Sequence, residues 1–329
     1  MTAHCGSSHS ARSERVTNQT IQIGDTDSGA SARILPGLGF NCCSFEVPHG
    51  GRMLELLWSV AGFAEGNHSP SGSGIPILFP FPGRIPGAML HWQGQEYQLV
   101  ASDGLGNAIH GFVLDRPWRI IDQSDRHVVG QFQASLDEPD LLNCWPADFR
   151  ITTTYAVRGS TLQGRYLLEN PDDRPLPCGL GAHPYFRLPL GGPQREDCQI
   201  RVPVSAQWQL ENLLASGDVG PLDSETDLSN GVDFGQLQLD NVFTGLTFQE
   251  QRCRATIHDP HSKRTLCVTF NDLFQQCVLY NPPHREAICI EPYSCVPGAF
   301  ELSQPAAPTG LVVLEPGQSA EGTVDIAFE

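Results

Sequence analysis

RITTTYAVRGSTLQGRYLLEN, residues 150–170, is the stretch whose reading decides the fold class. Two runs alternate in polarity and flank Arg158, Gly159 and Ser160, residues suited to a turn. A side-chain period of two belongs to a half-buried strand, and two such runs on either side of a glycine-containing link read as a β-hairpin. Working outward, TIQIGD (20–25), SARILP (31–36) and NCCSFEV (41–47) are short β-type segments cut by Gly and Pro. TLCVTF, QQCVLYN, AICIEPY and GTVDIAF repeat the pattern toward the C-terminus at spacings typical of a sandwich. Only SLDEPDLLNCWPAD, just before and around Pro146, offers a short turn of helix. The expected fold class is therefore all-β.

Composition agrees. Gly 33 and Pro 26 among 329 residues amount to roughly 18%, against a usual ~12%, a density of helix breakers that favours many short strands joined by turns. No internal repeat and no mid-chain linker divides the sequence, so residues 18–329 are expected to form one domain behind a polar tail, residues 1–17. The net charge of −17 leaves no basic field for phosphates and argues against a nucleic-acid partner. The eleven cysteines are odd in number, lack a C-x-x-C pair, and several fall inside apolar runs. Buried free thiols in a reducing compartment are expected rather than a disulfide framework or a zinc knuckle. No secretory h-region and no apolar run of membrane-spanning length occurs. The expected location is cytoplasmic, with no membrane partner.

The chemistry-bearing positions are few. Nucleophile-elbow, zincin, P-loop and dinucleotide-binding motifs are absent. IHDPHSK sets His258 and His261 three apart, and a solvated turn is the preferred reading over a metal pair. Four other places stand out. Arg84 lies in the loop PSGSGIPILFPFPGRIPG (70–87), so apolar that it must fold back onto the body and wall a cleft. His110 sits in GNAIHGF, where glycine lets backbone and ligand approach closely. His183 precedes Pro184 in LGAHPYFRLPL (180–190), which biases it to extended backbone at a strand end. Glu291 closes the apolar strand of CIEPYS, where desolvation would raise its pKa toward the range of a general acid or base. Each also has a plain structural reading: an ion-paired arginine, a packed histidine, a carboxylate at a sheet rim.

Taken together, FPGRIPGAMLHWQGQEYQL, GNAIHGFVLDRPWRI, WPADFRITTTYAV, LLENPDDRPLPCGLGAHPYFRL, LDNVF and ICIEPYS occur in this order. The series resembles the aldose 1-epimerase (galactose mutarotase) family from about residue 20 to the C-terminus. The resemblance implies a large antiparallel β-sandwich, the galactose mutarotase-like supersandwich, with an open sugar-binding cleft. It also implies roles: Glu291 as the base at the anomeric hydroxyl, His183 as the acid at the ring oxygen, His110 as an assistant there. Arg84 and Asp240 would bind sugar hydroxyls, and Tyr185 or Phe243 would cover an apolar sugar face. The chemistry needs no cofactor and no metal, and the partner is a small-molecule sugar, bound by a monomer or homodimer.

Two positions depart from the family's pattern. Gly83 stands where an asparagine is usual before the loop arginine, and Arg187 where an asparagine is usual after His-Pro-Tyr-Phe. Arg187 either grips an anionic sugar or makes a surface ion pair worth little. A non-catalytic carbohydrate-binding module on the same scaffold is the main alternative to an enzyme. A glycoside hydrolase would need a second carboxylate beside Glu291, for which Asp240 is the weak candidate.

Overall fold

The hairpin of residues 150–170 forms as expected. Strands Arg150–Arg158 and Thr161–Glu169 pair antiparallel in unbroken register from Arg150 opposite Glu169 to Arg158 opposite Thr161. Gly159, the first turn residue, has φ 57°, the left-handed conformation that a tight two-residue hairpin turn requires at that place. The computed structural model describes residues 19–222, 227–302 and 306–329. The expected tail, residues 1–17, and Cys5 within it lie outside the described residues.

This hairpin is part of a nine-stranded antiparallel sheet. In spatial order its strands are Arg119–Gln123, His127–Gln133, Arg150–Arg158, Thr161–Glu169, Ser319–Phe328, Arg264–Asn271, Arg252–Asp259, Gln199–Arg201 and Val232–Asp233. An eight-stranded sheet runs Leu214–Pro221, Ala206–Glu211, Asp240–Thr244, Gln276–Tyr280, Ala287–Tyr293, Gly181–Ala182 and Ile77–Leu78, with Tyr185–Arg187 also pairing Ala287–Tyr293. The N-terminal segments form a four-stranded sheet, Ile21–Gly24, Ser31–Leu35, Asn41–His49 and Arg52–Glu55. The helical turn before Pro146 is present as Ala134–Asp137 with a 3₁₀ turn at Pro139–Asn143. No helix among the described residues is long and apolar enough to cross a membrane.

One apolar cluster takes in the inward residues of all three sheets, among them Phe45, Tyr155, Leu168, Phe270, Leu279, Ile288 and Ile290. Burying one such side chain is worth roughly 1.5–3 kcal/mol, which fixes the register, because a slip of one residue would turn the set outward. Cys42, Cys43, Cys178, Cys198, Cys253, Cys267, Cys277, Cys289 and Cys295 are free thiols, and all but Cys43 are buried, as the apolar runs around them imply.

The strand Ala287–Tyr293 is buried along its whole length. Ile288 and Ile290 point into the main core, so Ala287, Cys289, Glu291 and Tyr293 face the other side. Glu291 does not end this strand: pairing continues to Tyr293, which lies opposite Gln276 and Gly181. The carboxylate is thus set within the sheet rather than at its rim.

Candidate active site

Strand register brings the candidates together. Glu291 lies opposite Val278, and Cys289 opposite both Tyr280 and Tyr185. Asp240 in turn lies opposite Tyr280, and Val242 opposite Val278. Glu291, Val278, Tyr280, Tyr185, Asp240 and Val242 turn away from the main core, and with His183 they form the floor of a cavity of about 230 Å³; Cys289 shares their face but is not part of the lining. Arg84, His110, His183, Tyr185, Asp240 and Glu291 all line it. Ser71 and Gly83 also line it, so the 70–87 loop does form a wall.

Phe243 does not face this cavity. It alternates with Val242 and Thr244, pairs with Cys277, and is fully buried in the main core. The aromatic walls are Tyr185, Tyr280 and Tyr293 instead. Arg187 is likewise absent from the lining. It pairs with Ala287, four residues before Glu291 and so about 13 Å away along the strand. There it neighbours His284 and Glu286, with its Nε buried and without a hydrogen-bond partner among the described residues. It matches neither the sugar contact nor the solvent-exposed ion pair expected of it.

Arg84 opens a short strand paired with Ala108–Ile109, and its Nε donates to Asp103 Oδ2 at 3.0 Å. The Asp103 side chain is 1% exposed. Burial alone would raise its pKa, but hydrogen bonds from the Asn107 side chain and backbone, the Leu105 backbone and Arg84 hold it at about 2. Arg84 is thus aimed by an ionised carboxylate that the sequence did not single out.

His110 has φ 66° and Gly111 φ 75°. The His110 amide donates to Gly83 O at 2.8 Å, and a Cβ on Gly111 would stand 2.2 Å from Phe79 O. The backbone is held in a conformation that L side chains rarely adopt, which turns the imidazole into the cavity. Gly83 has φ 65°, which asparagine tolerates, but a Cβ there would meet Pro297 Cγ at 2.6 Å. Close packing of Pro297 accounts for the missing asparagine.

His183 lies between the strands Gly181–Ala182 and Tyr185–Arg187, at a strand end as its proline neighbour implies. Its ring stacks on Tyr185 with centroids 4.8 Å apart and meets the His110 ring edge-on at 5.7 Å. Nδ1 stands 3.4 Å from Glu291 Oε1 without hydrogen-bond alignment, and Glu291 Oε2 and His110 Nδ1 also lack partners among the described residues. Burial lowers the pKa of His183 to about 3. It also pushes His110 well below the ordinary histidine value, with the charges of His183 and Arg84 adding to the effect. Burial raises Glu291 well above the carboxylate range; the neighbouring Tyr293 hydroxyl opposes this and Asp240 reinforces it. Burial thus disfavours the charged form of both partners of the His183–Glu291 pair, the imidazolium and the carboxylate. Desolvation raises Asp240 as well, with Arg84 opposing.

Other titratable groups are engaged elsewhere. His258 Nδ1 lies 3.0 Å from Thr265 Oγ1, and His261 Nε2 lies 2.6 Å from Asp197 Oδ2. The two do not converge, in agreement with a turn rather than a metal pair. A wider depression of about 740 Å³ around Arg126 and His127 holds groups already paired, Arg126 with Asp25 and Asp27, His127 with Asp122.

Comparison with known proteins agrees with this geometry. The sequence matches the family model for aldose 1-epimerase over residues 23–327. It is 24% identical over 261 residues to the uncharacterized protein YphB of Escherichia coli (strain K12), a match covering 77% of this chain and 82% of that protein. To the uncharacterized protein YihR of the same organism it is 23% identical over 248 residues, covering 74% and 75%. The fold superposes on a galactose mutarotase-like protein from Clostridium acetobutylicum with a TM-score of 0.82 at 20% identity, covering 92% and 93% of the two chains. It superposes on galactose 1-epimerase from Lactobacillus acidophilus NCFM with a TM-score of 0.72 at 20% identity, covering 94% and 98%. The architecture is that of the galactose mutarotase-like folds.

Proposed function

The chain belongs to the aldose 1-epimerase family, and from that premise we propose that it interconverts the α and β anomers of an aldohexose by acid–base ring opening and reclosure. The observation that carries this reading is the convergence of His110, His183, Glu291, Arg84 and Asp240 on one cavity. Its volume, about 230 Å³, is below the ~300–1,000 Å³ of sites for drug-sized ligands and suits a monosaccharide. The walls pair apolar surface (Val242, Val278, Leu210) with polar groups, as a sugar's alternating faces require.

Opening the ring removes a proton from O1, delivers one to O5 and breaks the C1–O5 bond. Rotation about C1–C2 then exposes the other carbonyl face, and reclosure reverses both proton transfers. Glu291 is the base at O1 and His183 the acid at O5. Burial works against the carboxylate and the imidazolium that these roles call for, and Nδ1 and Oε1 stand 3.4 Å apart. The sugar's hydroxyls restore the polarity that desolvation removed and so favour the charged pair. Arg84 and Asp240 hold the hydroxyls, and His110 orients the ring-oxygen side.

Polarimetry of freshly dissolved α-D-galactose and α-D-glucose tests this. The protein accelerates mutarotation, and Glu291→Gln and His183→Ala each lower kcat by about 10²–10⁴-fold, the usual worth of general acid–base catalysis. Binding of either sugar without acceleration would instead support the carbohydrate-binding module.

A further inference from the structure

His183, Cys289 and Glu291 each offer a ligand atom, and these atoms all lie within 4.8 Å of one another in a fully buried cluster. Acid–base ring opening uses the histidine and the glutamate; it has no use for the thiol. Cys289 does not line the cavity. It is set under Tyr185 by cross-strand pairing, on the same strand face as Glu291, two residues away.

Two of the three residues carry a buried atom without a hydrogen-bond partner among the described residues: His183 Nδ1 and Glu291 Oε2. These residues are 6% and 1% exposed. Buried polar atoms without a partner are costly, and a cation among them would satisfy both. The donor set is one imidazole nitrogen, one sulfur and one carboxylate oxygen. That mixture suits a borderline-soft divalent ion and fits zinc, which takes three protein ligands and leaves its fourth position to water. The cavity lies on the open side, since His183 and Glu291 both line it. Zinc bond lengths of about 2.0–2.3 Å put tetrahedral ligands about 3.5 Å apart. The His183–Glu291 pair is already at 3.4 Å, and the widest pair must close by about an ångström.

We propose that His183, Cys289 and Glu291 form an inhibitory zinc site at the cavity floor, in which Zn²⁺ occupies the acid and base together and excludes the sugar. Binding replaces the thiol proton and the carboxyl proton with metal bonds, so up to two protons leave for each ion bound. Zinc and sugar then compete for one cavity, with water or hydroxide on the fourth position of the metal.

The test is competition between the purified full-length protein and a chromophoric zinc chelator, with inhibition of mutarotation measured in parallel. Wild-type protein is expected to hold one Zn²⁺ per chain. Cys289→Ala and His183→Gln are each expected to weaken that binding at least tenfold. Cys289→Ala, which removes no cavity-lining group, keeps its mutarotation rate within a few-fold and loses its sensitivity to zinc. Cys43→Ser with Cys267→Ser leaves the tight ion in place. Equal zinc affinity in wild type and Cys289→Ala would overturn the site, as would equal inhibition of both. Chelator competition needs no turnover, so its outcome stands apart from the epimerase reading. A protein that binds zinc through Cys289 but accelerates no mutarotation keeps the site and refutes only the activity.

Discussion

Asp103→Asn separates a group that aims Arg84, the arginine proposed to hold the sugar, from one that merely stabilises a loop. Asp103 Oδ2 accepts from Arg84 Nε at 3.0 Å and from Asn107 Nδ2 at 2.8 Å. Its Oδ1 accepts from the amides of Leu105 and Asn107 at 2.7 and 2.9 Å. Asparagine keeps the Oδ1 bonds, and hence the turn, but presents NH₂ to two donors. A hydrogen bond to a charged group is worth about 1.5–3 kcal/mol. The Arg84 side chain is 18% exposed and opens on the cavity, so water can take up part of the loss, and the lower end of that range, about 1.5–2 kcal/mol, applies. If Arg84 holds the sugar in ground state and transition state alike, the loss appears as a rise in KM of about 10–30-fold, with kcat within about threefold. Initial-rate polarimetry across sugar concentrations reads both constants, and a thermal melt checks that the loop survives. A KM within twofold of wild type would refute the role given to Arg84. So would a kcat that falls as far as KM rises, because the defect would then be one of the whole site.

Three further outcomes follow from the same geometry. Burial lowers His183 to about 3 and raises Glu291, so the pair keeps one proton from near pH 3 up to the raised carboxyl pKa. The plot of kcat/KM against pH is therefore expected to lack a histidine limb near the ordinary value of about 6.5 and to decline on the alkaline side as that proton is lost; an acid limb centred there would mean that His183 is solvated. Gly83→Asn keeps a tolerable φ but drives a Cβ to 2.6 Å from Pro297 Cγ, and overpacking of that kind costs about 1–3 kcal/mol in denaturant unfolding. The double variant Gly83→Asn with Pro297→Gly is expected to regain part of the loss. Phe243→Ala is expected to cost about 3–5 kcal/mol of stability with KM unchanged in the fraction that stays folded, whereas a KM shift without destabilisation would place its ring in the cleft.

The strands were legible because period-two alternation is a local property, and the runs around Ile151 and Leu162 show it within a few residues. The four leading site residues were legible because each carries a chemical oddity in its own neighbourhood: a charge in an apolar loop, a histidine beside glycine or proline, a carboxylate in an apolar strand. Tyr280, Val278 and Tyr293 had no such mark. Their place in the cavity depends on which strands are neighbours, and pairing such as Val278 opposite Glu291 is not written in either segment alone. Phe243 shows how narrow the margin is. One step along its strand separates the cavity face from the core, and LDNVF does not say which residue faces which. Asp103 was hidden because its four donors, two backbone amides and the side chains of Arg84 and Asn107, are brought to it by a loop conformation that sequence does not display.

The position of the strand Ser319–Phe328 governs how the molecule can be made. It is the last of the described strands to leave the ribosome, yet it sits in the middle of the nine-stranded sheet, between Thr161–Glu169 and Arg264–Asn271. Until it is synthesised, those two strands each present an unpaired edge, which is the form most prone to join another chain. Closing the sheet also joins partners more than a hundred residues apart in sequence, a slow event for a β topology. A nascent chain stalled before this strand would therefore be expected to carry two sticky edges, and chaperone binding should concentrate on that interval of translation.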